Sequence, residues 1–241
     1  MHPEHRTLLA AIRGAAGGGP SRQPANESFG AGGHVAYRVR VPERRRIAKT
    51  WLRTGKPSAD VVLAVVESLF AGDSHEEKTL AAIILEGDGT ARQQVHPDDV
   101  DRWLSHLSGW AEVDSLCQSV FTAEEVLADW SAWRDLVRRL SKSPNVNKRR
   151  ASLVLLTGPV RDSDDPRLRD LAFATVGRLE AERDILVTKA VSWLLRSMVG
   201  HHREAVASYL ADHEATLPSI AVRETRMKID TGTKTRRPPM P

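Results

Sequence analysis

Apolar residues recur at three- and four-residue spacing along most of the chain, the signature of amphipathic helices that bury one stripe. Residues 5–14 read as a short first helix. Ser58 is placed to cap a helix carrying Val61, Val62, Val65, Val66 and Leu69. The run 76–86, with Leu80, Ile83 and Ile84, makes another. Pro97 stands at a first-turn position before Val100, Trp103, Leu104 and Leu107. Thr122 and Glu125 have the spacing of a capping box ahead of Val126 and Leu127. Further helices are predicted over 131–142, 146–157, 165–181, 184–199, 202–214 and 218–229. No segment alternates convincingly as a strand.

Helices of about 10–16 residues joined by short polar turns leave two architectures, a closed bundle or a stack of helical hairpins. Helix pairs recur at about 35–40 residues, near the spacing of HEAT and armadillo repeats. The expected fold is therefore all-α, an α-α superhelix built as a HEAT-like or armadillo-like solenoid of antiparallel helix pairs. Residues 1–34 read as a helix followed by a mobile Gly/Pro-rich loop over Gly14–Gly33, residues 35–230 as the repeat domain, and residues 231–241 as a disordered tail.

Composition narrows this picture only a little. The 241 residues hold 41% hydrophobic but only 5% aromatic residues, so the core is built of Leu, Val, Ile and Ala. Thirty-five Lys and Arg against 31 Asp and Glu give a formal charge of +4, too small an excess to identify a nucleic-acid binder. The single cysteine, Cys117, excludes an internal disulfide and reads as a buried structural thiol among Val113, Leu116, Val120 and Phe121. No apolar run is long enough for a transmembrane helix. A soluble, cytoplasmic protein is expected.

Three segments hold candidate chemistry. In Gly109-Trp110-Ala111-Glu112-Val113-Asp114, the i, i+4 spacing puts an indole and a carboxylate on one helix face. That pair also fits a core tryptophan near a surface aspartate. In Asn145-Val146-Asn147-Lys148-Arg149-Arg150, three cations open an apolar helix, where the macrodipole disfavours them and a phosphate would compensate. In Lys189-Ala190-Val191-Ser192-Trp193-Leu194-Leu195-Arg196, Lys189 and Trp193 share a face with Arg196 one turn on, which equally fits a core tryptophan with snorkelling bases. Aspartates and glutamates elsewhere fall mostly on predicted exposed faces or caps.

Together, and in this order, these segments resemble the AlkD-type DNA alkylation repair glycosylases. That family carries W-x-x-x-D, then R-R, then K-A-x-x-W-x-L-R on a stack of HEAT-like repeats. The resemblance takes in Tyr37-Arg38-Val39-Arg40-Val41-Pro42-Glu43-Arg44-Arg45 and runs on through Arg223-Glu224-Thr225-Arg226, covering about residues 35–230. It implies that Asp114 is the catalytic carboxylate and that Trp110 and Trp193 are the indoles beside the lesion. It implies that Arg150, or Arg149 if the register slips by one, is the arginine that binds the DNA backbone. Asn147 departs from the family, which often has an aromatic there.

The residue types suit such a reaction. A purine alkylated at N3 or N7 is cationic and leaves as a neutral base, so no strong general acid is needed. The charge builds instead on the deoxyribose, where a fixed carboxylate stabilises an oxocarbenium-like transition state. Indole faces attract cations by about 0.5–2 kcal/mol. Candidate backbone contacts are Lys148, Arg149, Arg150, Lys189, Arg196, Arg223 and Arg226, with Arg38 and Arg40 as further possibilities. The expected partner is duplex DNA carrying alkylated bases, bound by a monomer without a cofactor.

Other classes find little support. His201-His202 are adjacent and cannot place two metal ligands on one helix face, and His96, His106 and His213 lie far apart, so no metal is expected. Neither a phosphate-binding P-loop nor a dinucleotide fingerprint is present; Gly17-Gly18-Gly19 lacks a following lysine and reads as loop. The competing reading is a non-catalytic HEAT-repeat protein that binds DNA or serves as a scaffold.

Overall fold

The computed structural model describes residues 1–22 and 33–234. The chain divides into two units, Met1–Phe121 and Thr122–Pro241. Unit 1 holds α1 (Pro3–Ala15), α2 (Val41–Gly55), α3 (Ala59–Phe70), α4 (His75–Gly87), α5 (Gly89–Arg92), α6 (Pro97–Leu104) and α7 (Trp110–Cys117). Unit 2 holds α8 (Ala123–Ala128), α9 (Trp130–Leu140), α10 (Val146–Asp162), α11 (Pro166–Leu179), α12 (Ile185–His213) and α13 (Ser219–Thr231).

The caps anticipated from sequence form. Ser58 Oγ accepts from Val61 N at the head of α3. Thr122 and Glu125 make a reciprocal capping box on α8. Pro97 occupies the first turn of α6, with His96 and Asp99 closing a second box. Each box satisfies amides that would otherwise lack a partner at a helix start. Behind the caps, Val62, Val65, Val66, Leu69 and Phe70 bury the inner stripe of α3, and Phe70 stacks on Trp103 of α6 at 5.0 Å. Residues of this kind contribute roughly 1.5–3 kcal/mol each when fully buried. Cys117 is buried in α7.

Within unit 1, α2, α4 and α7 run side by side in one direction. The Tyr37 and Val39 amides, just ahead of α2, bond Glu76 in the first turn of α4. At the other end, Leu52 packs so close to Gly87 that a Cβ there would meet its methyl at 3.0 Å. His75, the first residue of α4, likewise reaches the first turn of α7, and Glu86 near its end meets Ser119 beyond α7. In unit 2, α10 packs on α12 and α12 on α13.

Several expectations need correction. α2 is not among the predicted helices: six cations over 44–56 hide the buried stripe of Ile47 and Ala48. The short α5 is not among them either. Two strands exist where none was expected, β1 (Ser21–Arg22) and β2 (Val35–Ala36), pairing antiparallel with Ser21 opposite Ala36. The predicted loop over Gly14–Gly33 thus contains paired backbone, and its residues 23–32 lie outside the described residues. α10 continues through Pro159 to Asp162 instead of ending at 157, although a proline leaves the carbonyl four residues back without its helical donor. The two helices predicted over 184–199 and 202–214 form one run broken at His202, whose φ −127° and ψ 37° are non-helical. α13 reaches Thr231 and stops at Gly232 in the left-handed region (φ 72°), while residues 235–241 of the predicted tail lie outside the described residues. Among the described residues, no helix is long and apolar enough to cross a membrane.

Candidate functional site

α7 begins at a turn only glycine adopts easily. Gly109 has φ 78° and ψ 160°, so the chain reverses sharply into the helix without a side-chain cap. Trp110 is the first helical residue and stays 39% exposed. Asp114 follows one turn later and is 9% exposed. Val113, Leu116 and Cys117 anchor α7 in the core. The pairing expected from the i, i+4 spacing is present: an open indole and a mostly buried carboxylate on one short helix. A carboxylate so placed acts through a lower effective dielectric than a surface one.

Between them stands a residue that the sequence pattern does not mark. Glu112 is 1% exposed and accepts from the Ser108 amide at 2.9 Å, from His34 Nδ1 at 3.0 Å and from His75 Nδ1 at 3.2 Å. Burial pushes its carboxyl up, but the bonds from His34, His75 and the Ser108 amide together outweigh it and hold the group below the usual carboxylate range.

The first turn of α4 is likewise buried. Glu76 ties down the Tyr37 and Val39 amides at 2.9 and 3.2 Å. Glu77 bonds His5 Nε2 at 2.7 Å and the Ser74 amide at 2.8 Å. Burial works against the Glu77 charge, and the bonds from His5 and Ser74 overcome it and keep the carboxyl low. Lys78 donates to the carbonyls of Phe70 and Gly72, its ammonium pushed down by burial against the pull of Glu112, Glu77 and Asp73. Arg44 donates to Thr79, and burial lowers it against the attraction of Glu76. The expectation that acidic residues outside the Trp110–Asp114 pair lie mostly on exposed faces or caps holds for Glu77, which sits at a cap, and is corrected for Glu76 and Glu112. The signal available was Ser74-x-x-Glu77, a capping box.

The remaining candidates fall into three groups. Lys189 is exposed on α12, with Trp193 half-buried one turn later. Arg196 is half-buried, donates to Ser192 Oγ at 3.3 Å and pairs with Glu224 at 3.4 Å; burial lowers its guanidinium against Glu224. Arg223 and Arg226 are exposed on α13, and Arg226 is held charged by a bond to Glu214 at 2.9 Å. In the basic run that opens α10, Lys148 is half-buried and Arg149 pairs with Glu182 at 2.7 Å while donating to the Ser143 and Pro144 carbonyls. Arg150 is 5% exposed and gives an N–H to the Leu186 carbonyl, which ties α10 to the start of α12. Arg38 and Arg40 are exposed, Arg38 at φ 60°.

A further basic face escapes the sequence pattern because its helix does. Arg45, Lys49, Arg53 and Lys56 are all exposed and fall on one side of α2. They line a groove of about 770 Å³ whose apolar floor includes Leu52 and Ile83. Glu86, 3.8 Å from Arg45, and Asp88 share it. Among the described residues, no group of three or more His, Cys, Asp or Glu is arranged to hold a metal ion.

The family model for DNA alkylation repair enzymes matches residues 15–229, nearly the whole described chain. The chain belongs to that family. A solved structure of a predicted DNA alkylation repair enzyme from Enterococcus faecalis superimposes with a TM-score of 0.66 at 16% identity, covering 95% of this chain and 97% of that one. At that identity the likeness speaks for the fold alone, which is the all-α solenoid expected from the helix pattern. No curated protein matches the chain. For this member of the DNA alkylation repair family, DNA is the partner.

Proposed function

We propose that this protein is a DNA glycosylase that hydrolyses the N-glycosidic bond of cationic N3- and N7-alkylated purines in duplex DNA. The observation that carries this reading is Asp114, mostly buried one turn from an exposed indole on a helix of a DNA alkylation repair protein. As the C1′–N bond breaks, its electron pair goes to the base, which leaves neutral. Positive charge moves to the deoxyribose, where Asp114 stabilises it. Water then adds to C1′ and loses its proton to Asp114 or to solvent. A preoriented charge in a partly dry site needs no reorganisation at the moment of reaction, which is why such groups dominate rate enhancement. Trp110 offers the cationic base an indole face. Trp193 and Arg150 carry over from the family resemblance as further substrate-binding residues.

Binding is proposed to be electrostatic. Lys189, Arg223 and Arg226 are exposed, and Lys148, Arg149 and Arg196 are partly so. The α2 face adds Arg45, Lys49, Arg53 and Lys56. One observation favours a second reading: the inward bond of Arg150, with Asn147 in place of an aromatic, fits a non-catalytic DNA-binding member. The test is release of 3-methyladenine and 7-methylguanine from methylated duplex DNA, leaving abasic sites. Release above the spontaneous rate supports the glycosylase, and DNA binding without release supports the second reading.

A further inference from the structure

A carboxylate as deeply buried as Glu112 on a short helix calls for an explanation. Glu112 has Val113, Leu116 and Cys117 as buried companions on α7, and a leucine at 112 would fill the space without desolvating a charge. The carboxylate does something leucine would not. It draws hydrogen bonds from three separate segments: His34 beside β2, His75 at the start of α4, and the Ser108 amide in the turn ahead of α7. The Ser108 bond fixes the chain immediately before Gly109, whose φ of 78° sets where the helix begins. The two imidazole bonds fix the rotation of α7 against α4 and the β2 segment. Trp110 and Asp114 stand two residues to either side of Glu112, so any roll of α7 moves both.

We propose that Glu112, clamped by His34 and His75, is a positioning residue that sets the start and the rotation of α7 and thereby the placement of Trp110 and Asp114. The catalytic consequence rests on the glycosylase reading; the positioning itself does not. The clamp acts through Asp114 and touches no substrate. Glu112→Gln keeps the volume and one oxygen but turns an amide donor toward at least one imidazole Nδ1–H, so the clamp loosens. A misplacement near 1 Å can cost on the order of a hundredfold in rate, and a partial loosening about tenfold.

The test follows the six indole N–H resonances of the ¹⁵N-labelled full chain, with that of Trp110 assigned through Trp110→Phe. In Glu112→Gln the Trp110 resonance is expected to shift or broaden while that of Trp103, buried in the same unit, stays in place. On methylated duplex DNA the same variant is expected to lose about tenfold in kcat with KM within twofold of wild type. His75→Asn, whose amide stands in for Nδ1–H, is expected to stay near wild type where His75→Ala does not. Should Glu112→Gln fail to fold, His34→Ala removes one arm at a half-exposed site and is expected to move Trp110 in the same direction. An unmoved Trp110 resonance in the folded variants overturns the proposal, and a kcat unchanged by a displaced Trp110 overturns its catalytic consequence. If Trp110 moves but the wild type releases no base, the clamp stands and the glycosylase reading falls.

Discussion

Replacing Glu76 by alanine removes the acceptor of two backbone amides at once. The side chain is 1% exposed, and its two oxygens accept from Tyr37 N at 2.9 Å and Val39 N at 3.2 Å, both in buried residues. Stranding a buried donor costs about 1–3 kcal/mol, so the two amides together cost about 2–6 kcal/mol. Arg44, 7% exposed and already disfavoured by burial, also loses the nearby charge that offsets that burial. Removing one partner of a buried ionic set typically costs about 3–5 kcal/mol, which falls inside the same window. Against a total stability of about 5–15 kcal/mol for a protein of ordinary stability, the variant stays measurable. Urea unfolding is the assay, and with m of about 2 kcal/mol per molar the midpoint is expected to fall by about 1–3 M at unchanged m. Glu76→Gln, which keeps one acceptor, is expected to lose about half as much. A loss under about 1 kcal/mol for the alanine variant, with the Arg44 surroundings intact, would refute the reasoning, because it would mean that water satisfies those amides at no cost.

Other expectations follow from the same geometry. Glu77 and Glu112 are both held below the ordinary carboxylate range. A depressed folded-state value contributes stability that is present above the unfolded value, about 4.3 for glutamate, and is lost as pH falls through the folded value. Thermal melts should therefore be flat near neutrality and decline below about pH 5, and a midpoint unchanged down to pH 3 would contradict this. The combined variant Lys49→Gln, Arg53→Gln, Lys56→Gln should lower the salt slope of binding to unmodified duplex by about 2–3, at about 0.9 for each phosphate no longer neutralised; an unchanged slope would remove α2 from the interface. Trp110→Ala should slow release of 7-methylguanine about 2- to 30-fold, the range that about 0.5–2 kcal/mol of cation–indole attraction allows; an unaffected rate would show that the indole does not meet the lesion.

The helical architecture can be read from the chain because amphipathic spacing and caps are local signals. Ser58, Pro97 and Thr122 each mark a helix start that forms as expected. α2 escapes because Arg44, Arg45, Arg46, Lys49, Arg53 and Lys56 swamp its two-residue apolar stripe, and its burial is conferred by neighbours that a sequence does not display. The Trp110–Asp114 pair is visible as an i, i+4 spacing, since both partners share one helix. The Glu112 clamp is not, because His34 and His75 lie 78 and 37 residues away and nothing local links them to it. Glu76 and Glu77 illustrate the same limit. Acidic residues in a first helical turn usually face water and complement the macrodipole, and only tertiary packing turns these two inward. Arg150 matches a DNA contact by its place in a basic run, yet its bond to the Leu186 carbonyl depends on how α10 meets α12.

The central claim is that Asp114 stabilises the sugar cation as an alkylated purine leaves. Single-turnover release of 7-methylguanine from a defined duplex, with wild type and Asp114→Asn side by side at saturating enzyme, tests it most directly. Asparagine keeps the shape and removes the charge. The account predicts release by the wild type and a loss of about a hundredfold or more in the variant, the scale of removing one group that stabilises transition-state charge, with duplex binding retained. Equal rates for the two proteins, or no release by the wild type, would contradict it.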